Sequence, residues 1–153
     1  MAVRTTAGST LKVSASAPAT YNTAGYAALT WTSVGEVTDL GEFGREYTLV
    51  THNPINNRIT QKFKGSYNEG KMSLKLGLDT DDAGQVLMKA ASLSDSAYSF
   101  EVTDQKGDKY YFPAMVMSWK VGLASVDSIT AASCDLELTS SSGGVGVVES
   151  LAA

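Results

Sequence analysis

Few residues of this chain are of the kinds that carry chemistry, and their spacing limits what they can do. His52 is the single histidine and Cys134 the single cysteine among 153 residues. That inventory cannot build a zinc cage, which takes several N or S ligands. A cysteine nucleophile needs a base beside it, and only His52 is on offer. Cys134 lies in a strand-like alternating run and reads as a small buried hydrophobe. His52 lies in the turn-like phrase Thr51-His52-Asn53-Pro54 and reads as a loop residue. Asp79, Asp81 and Asp82 are close enough to evoke calcium, but the segment lacks the glycine and the closing glutamate of a helix–loop–helix site. They suit the start of a helix, whose dipole favours negative charge there. Gly65, Gly70 and Gly77 are not followed by the Lys-Ser/Thr of a phosphate loop. Asp135 and Glu137 sit two apart on one strand face, in principle an acid–base pair and in pattern a solvated face. No catalytic residue, metal ligand or cofactor site follows, and we expect no enzyme and no cofactor.

The informative stretch is residues 44–65, GREYTLVTHNPINNRITQKFKG. Connections in compact domains run about four to six residues, and much longer ones are functional or disordered. Its aromatic and β-branched content argues against disorder. Arg45, Glu46, His52, Arg58 and Lys62 are interleaved with Tyr47, Leu49, Ile55, Ile59 and Phe63, a mixture suited to contact with another molecule. We read it as an extended arm whose partner is a second copy of the chain.

The elements around the arm must supply a rigid body. A chain of this length suits one domain with a sizeable core. Charged residues make up 18% of it, with a formal net charge of −4, which speaks against gripping nucleic acid through a basic surface. A lone cysteine fits a reducing compartment. The first ten residues lack the apolar core of a secretory signal, and no run approaches the roughly 20 apolar residues that cross a bilayer.

Period-two alternation predicts strands over 9–15, 31–40 (broken by Gly35), 66–78, 98–103, 109–121 and 129–139. In the fifth, both faces are apolar, as expected of a central strand or one facing a neighbour. Pro113 in that strand predicts a bulge or an edge. Residues 18–25 read as a loop. One helix is expected at about 80–93, capped by Asp79 or Thr80, with Asp81 and Asp82 in its first turn. Its buried face is expected to carry Ala83, Val86, Leu87, Ala90 and Leu93. The whole is a mainly β domain over 1–139, a sandwich or partly closed barrel with one flanking helix. Residues 140–153, rich in Ser and Gly, read as a flexible tail.

The order of features resembles one family. A Thr5-Thr6-Ala7-Gly8-Ser9 strand leads to Val34-Gly35-Glu36-Val37 and Gly41-Glu42-Phe43-Gly44. The arm ends in Gln61-Lys62-Phe63-Lys64-Gly65-Ser66-Tyr67, and a Leu-rich strand runs into Asp79-Thr80-Asp81-Asp82-Ala83-Gly84-Gln85. This is similar to the major tail tube protein of long, non-contractile-tailed bacteriophages, over roughly residues 5–139. The resemblance implies hexameric rings stacked into a hollow tube around a tape-measure protein, with tail terminator and distal tail proteins at its ends. It implies a virion protein assembled in the host bacterial cytoplasm, with DNA passing through the lumen without specific binding and no membrane partner. The arm maps onto a loop reaching the adjacent ring. Asp135, Glu137 and Glu69 become candidates for an acidic lumen that repels phosphate. Some relatives carry an extra C-terminal domain, and the short segment after residue 139 leads us to expect none. Other readings are a terminator, distal-tail or secretion-tube ring, and a monomeric carbohydrate-binding sandwich with Trp31 and Trp119 as a stacking platform. A hydrolase comes last, for want of a base and nucleophile.

Overall fold

A computed structural model describes residues 3–152 of the chain. The elements in order are β1 (Thr10–Ser14), α1 (Thr23–Ala27), β2 (Thr32–Val34), β3 (Val37–Asp39), β4 (Glu46–His52) and β5 (Gln61–Asn68). There follow β6 (Lys71–Gly77), α2 (Ala83–Ser92), β7 (Tyr98–Thr103), β8 (Lys109–Gly122), β9 (Ala131–Leu138) and β10 (Val148–Ser150). Eight strands form one antiparallel sheet in the order β2-β1-β7-β8-β9-β6-β3, with β10 added beside β8, while β4 and β5 pair only with each other. The large sheet bends over a shared core without closing into a barrel. Leu11, Val13, Phe100 and Phe112 meet Leu74 and Leu136 inside it, giving the two layers of a sandwich. The helix α2 flanks them, against β8, β2 and β1.

Alternation explains the central strands. In β6, Met72, Leu74 and Leu76 are buried while Lys71, Ser73 and Lys75 point to solvent. The strand pairs with β9 so that Met72, Leu74 and Leu76 stand opposite Leu136, Cys134 and Ala132, all buried. Each fully buried aliphatic side chain of this size contributes roughly 1.5–3 kcal/mol. A slip of one residue would turn the whole set outward, so register is tightly specified.

β8 has strand neighbours on both sides only over its first part, where β7 pairs with residues 109–114 and β10 with residues 109–111; beyond Ala114 it pairs with β9 alone. Its outward side at Tyr111 is covered from within the chain. Tyr26 of α1 stacks on Tyr111 at 5.3 Å, and Trp31 lies 5.9 Å from the same ring while donating its indole N–H to the Tyr26 carbonyl at 3.1 Å. The segment expected as a loop at 18–25 therefore runs into a short helix, capped by Asn22, whose purpose is to seat Tyr26. The bulge expected at Pro113 is elsewhere: the β8–β9 register shifts between Val116 and Ser118. Pro113 falls in the gap between the end of β9 and the start of β10, where its carbonyl accepts from Thr139 N at 2.9 Å and a missing donor costs little. The extra residue flips the face, so Trp119 sits opposite buried Cys134 rather than in line with Tyr111.

Helix α2 forms where expected but in a different phase. Its N-cap is Asp82, which accepts from Gln85 N at 3.0 Å, so neither Asp79 nor Thr80 caps it and no acid lies in its first turn. The buried side carries Gly84, Gln85, Met88 and Ala91, while Val86 and Leu93 are 54% and 84% exposed. Gly84 sets this phase: a Cβ there would lie 2.1 Å from the Ser33 carbonyl oxygen, so only glycine lets the helix press onto β2. Gln85 then fills a buried polar node. Its amide nitrogen donates to the carbonyls of Gly35 (3.0 Å) and Gly77 (2.8 Å), and its oxygen accepts from Asp79 N (3.0 Å).

Residues 140–152, expected as a flexible tail, carry β10, which pairs with the first part of β8. Asp108 holds both ends of the chain: one carboxylate oxygen accepts from Ala152 N at 2.7 Å and the other from the Arg4 guanidinium at 2.6 Å, which also binds Asp104.

Candidate functional site

The arm is a β-hairpin that leaves the body between Gly44 and Gly70. All of β4 is exposed, and in β5 only Gly65 is less than exposed. The register pairs Glu46 with Asn68, Tyr47 with Tyr67, Leu49 with Lys64, Val50 with Phe63, Thr51 with Lys62 and His52 with Gln61. A bulge after Tyr47 places one more residue on β5 than on β4. The expected arm thus extends three residues further, to Asn68.

Pairing assigns the side chains to two faces. One carries Tyr47, Leu49, Tyr67, Lys62 and Lys64; the other carries Val50, Phe63, His52 and Gln61. Neither face is covered: Leu49 is 63% exposed and Phe63 54%. At the turn, Ile59 N donates to Asn57 Oδ1 at 3.0 Å, an Asx turn that holds Ile55, Arg58 and Ile59 at the tip. Ile55 is fully in solvent and Ile59 is 67% exposed. A two-stranded hairpin alone is marginal in water. This one has some support of its own at the root. The Tyr47 and Tyr67 rings are 5.1 Å apart, the Arg45 guanidinium lies 4.0 Å over Tyr67, and Lys64 Nζ lies 4.6 Å from the Tyr47 ring. Such exposed cation–π contacts are worth about 0.5–1 kcal/mol each.

The root is clamped. Arg45 donates to Glu69 Oε1 through Nη2 at 3.2 Å and Nε at 3.3 Å, and Gly44 N donates to the Glu69 carbonyl at 3.3 Å. Gly70, at φ 90°, makes the turn into β6, and its carbonyl accepts from Leu138 N at 3.1 Å. Glu69, expected among the acids of an open face, is instead buried and paired with Arg45, so it fixes the hairpin to the body. Its partner lies 24 residues away, which no local pattern records.

Asp135 and Glu137 do lie on the outward face of β9, but not in an acidic field. Asp135 accepts from Ser73 Oγ at 2.9 Å and lies 3.4 Å from Lys71 Nζ. The Ser73 hydroxyl, and after it the Lys71 charge, hold its carboxyl below the usual carboxylate range. The same sheet face exposes Lys71, Lys75 and Lys120 beside Asp39, Asp135 and Glu137. Its charge is mixed.

Charge is instead segregated between hairpin and body. Residues 45–68 hold four of the chain's 12 basic residues and one of its 16 acids, so the hairpin is +3 and the remainder −7. The other chemical candidates stay apart. His52 is exposed on the hairpin, whereas Cys134 is buried in β9, where burial pushes its thiol up to about 12. Among the described residues no group of three His, Cys, Asp or Glu could hold a metal ion. Trp31 and Trp119 belong to different sheet faces and are both half-buried in ring and core contacts, so they form no common platform.

No protein-family model and no curated protein sequence matches the chain. Solved structures of tail assemblies do, at low identity, and they share its fold. A chain of the SPP1 tail tube matches at TM-score 0.63 and 13% identity, covering 94% of this chain and 77% of that one. A chain in the tail of an empty GTA particle, of six-fold symmetry, matches at TM-score 0.64 and 9% identity over 94% and 95%. A chain in the six-fold symmetrised baseplate of the anti-feeding prophage matches at 0.62 and 9% over 86% and 88%.

Proposed function

We propose that this chain is a structural subunit that assembles into stacked hexameric rings, forming the hollow tail tube of a phage through which DNA is ejected. The observation that carries the reading is the hairpin: a projection with apolar and basic side chains on two uncovered faces, on a body with the tail-tube fold. Such a surface is a liability in a monomer and an asset between copies. The hairpin reaches the neighbouring ring, and the free edges at β2 and β3 are available for ring closure. Tape-measure, terminator and distal tail proteins are the partners such a tube requires, and the virion is its place. The outward face of β6, β9 and β8, with balanced charge, suits a lumen that gives passing phosphates no net grip.

Electron microscopy of the concentrated protein tests this, with hollow tubes or six-fold rings expected. Deleting residues 45–64 is expected to leave a folded protein that forms neither. Normal tubes from that variant would remove the hairpin from the mechanism. The likeness to a baseplate chain favours a second reading, a ring at one end of the tail. Copy number per virion separates the two, because a tube subunit is present in many more copies than an end ring.

A further inference from the structure

Resting on the tube reading, the geometry points to the receptor of the hairpin tip: the apolar groove between the start of α2 and the far end of β8, filled by the tip of a second copy. Leu78, Val86, Trp119 and Val121 line a groove of about 240 Å³, with Val86 and Val121 more than half exposed. That is below the roughly 300–1,000 Å³ of small-molecule sites and suits a pair of aliphatic side chains. The tip offers Ile55, the most exposed large apolar residue among those described, and Ile59, which is 67% exposed.

Position makes the match directional. The hairpin enters β6 beside Lys71, which pairs with Glu137, whereas the groove begins just after Gly77, which pairs with Ala131. Ala131 in turn pairs with Gly122 at the end of β8. Hairpin root and groove therefore mark opposite ends of the same three strands, about 20 Å apart at ~3.3 Å per residue. A protrusion at one end and a socket at the other form a head-to-tail contact, which propagates into an open stack instead of closing as a dimer. Charge agrees. The tip, residues 53–60, carries Arg58 and no acid, while Asp79 lines the groove and exposed Asp81 lies next to it. Lys89 is the one cation in the lining, and its aliphatic stem adds apolar surface.

The test pairs Ile55→Cys with Val121→Cys in one chain, the native thiol being buried. Tubes are grown, oxidised mildly and run on a non-reducing gel. A ladder of covalent oligomers that needs both substitutions is expected. Tubes without a ladder, or an equal ladder from Ile55→Cys with Lys75→Cys on the outward sheet face, overturn the groove while leaving self-assembly intact. A second variant, Val121→Lys, is expected to keep the monomer's melting temperature and raise the concentration needed for tubes about tenfold or more. Unchanged polymerisation overturns the proposal. A wild-type chain that stays dispersed overturns the tube reading and this occupant with it.

Discussion

The hairpin β4–β5 and the ladder β6–β9 are antiparallel pairs of nearly equal length built from similar residues, yet they serve opposite ends. In β6–β9, every Leu and Met of the inner face is essentially buried. In the hairpin, Leu49, Val50 and Phe63 remain 46–63% exposed. The first pair stabilises the monomer. The second adds little to it and leaves its apolar surface uncovered, the surface that the proposed function gives to another copy. On the proposed function, folding and assembly are thus separable along the chain.

Substitutions at matched positions should expose that separation. Leu74→Ala in β6 is expected to lower unfolding free energy by about 2–5 kcal/mol, whereas Leu49→Ala should change it by less than about 0.5 kcal/mol. Urea denaturation of unassembled protein measures both, and equal losses would break the comparison. Next in size is Gln85→Leu, which strands two carbonyls and one N–H beneath α2. It should cost at least about 1–3 kcal/mol in the same assay and leave the hairpin untouched. Arg45→Ala should act only at the boundary between the regions. Amide exchange over residues 46–68 should quicken while the urea midpoint stays nearly fixed, and a large fall in the midpoint would make the clamp part of the body's stability. The smallest effect concerns acid. Asp135 is held below its unfolded value of about 3.9, so its contribution is present above that pH and is lost as pH falls through the lower folded value. Asp135→Asn should slightly flatten the acid limb of a stability–pH curve, and an unchanged limb would show the Ser73 and Lys71 contacts to be inert.

The parts of this division that follow simple periodicity were legible in the sequence. Alternation placed β6, β7 and β9, and the interleaving of apolar and basic residues marked the arm. Elements set by tertiary contact were not legible. The phase of α2 depends on Gly84 and Gln85, a small and a polar residue that no count of apolar positions places inside. The Asp82-Ala83-Gly84-Gln85 spacing, that of a capping box, was the available signal. The strand β10 hides in a Ser/Gly-rich segment because three residues laid on β8 need no pattern of their own. Glu69 looked like a solvent-facing acid because its partner Arg45 is joined to it only by closure of the hairpin.

Cys134 gives the molecule a built-in clock. Its thiol lies between Leu74 and Trp119 in the ladder, buried and poorly ionised. A thiol reagent can meet it only when the central sheet opens. Its labelling rate therefore counts openings of the body and not of the hairpin. Compared between free subunits and grown tubes, that rate would report how much a neighbour's grip at the periphery quiets the centre of each copy.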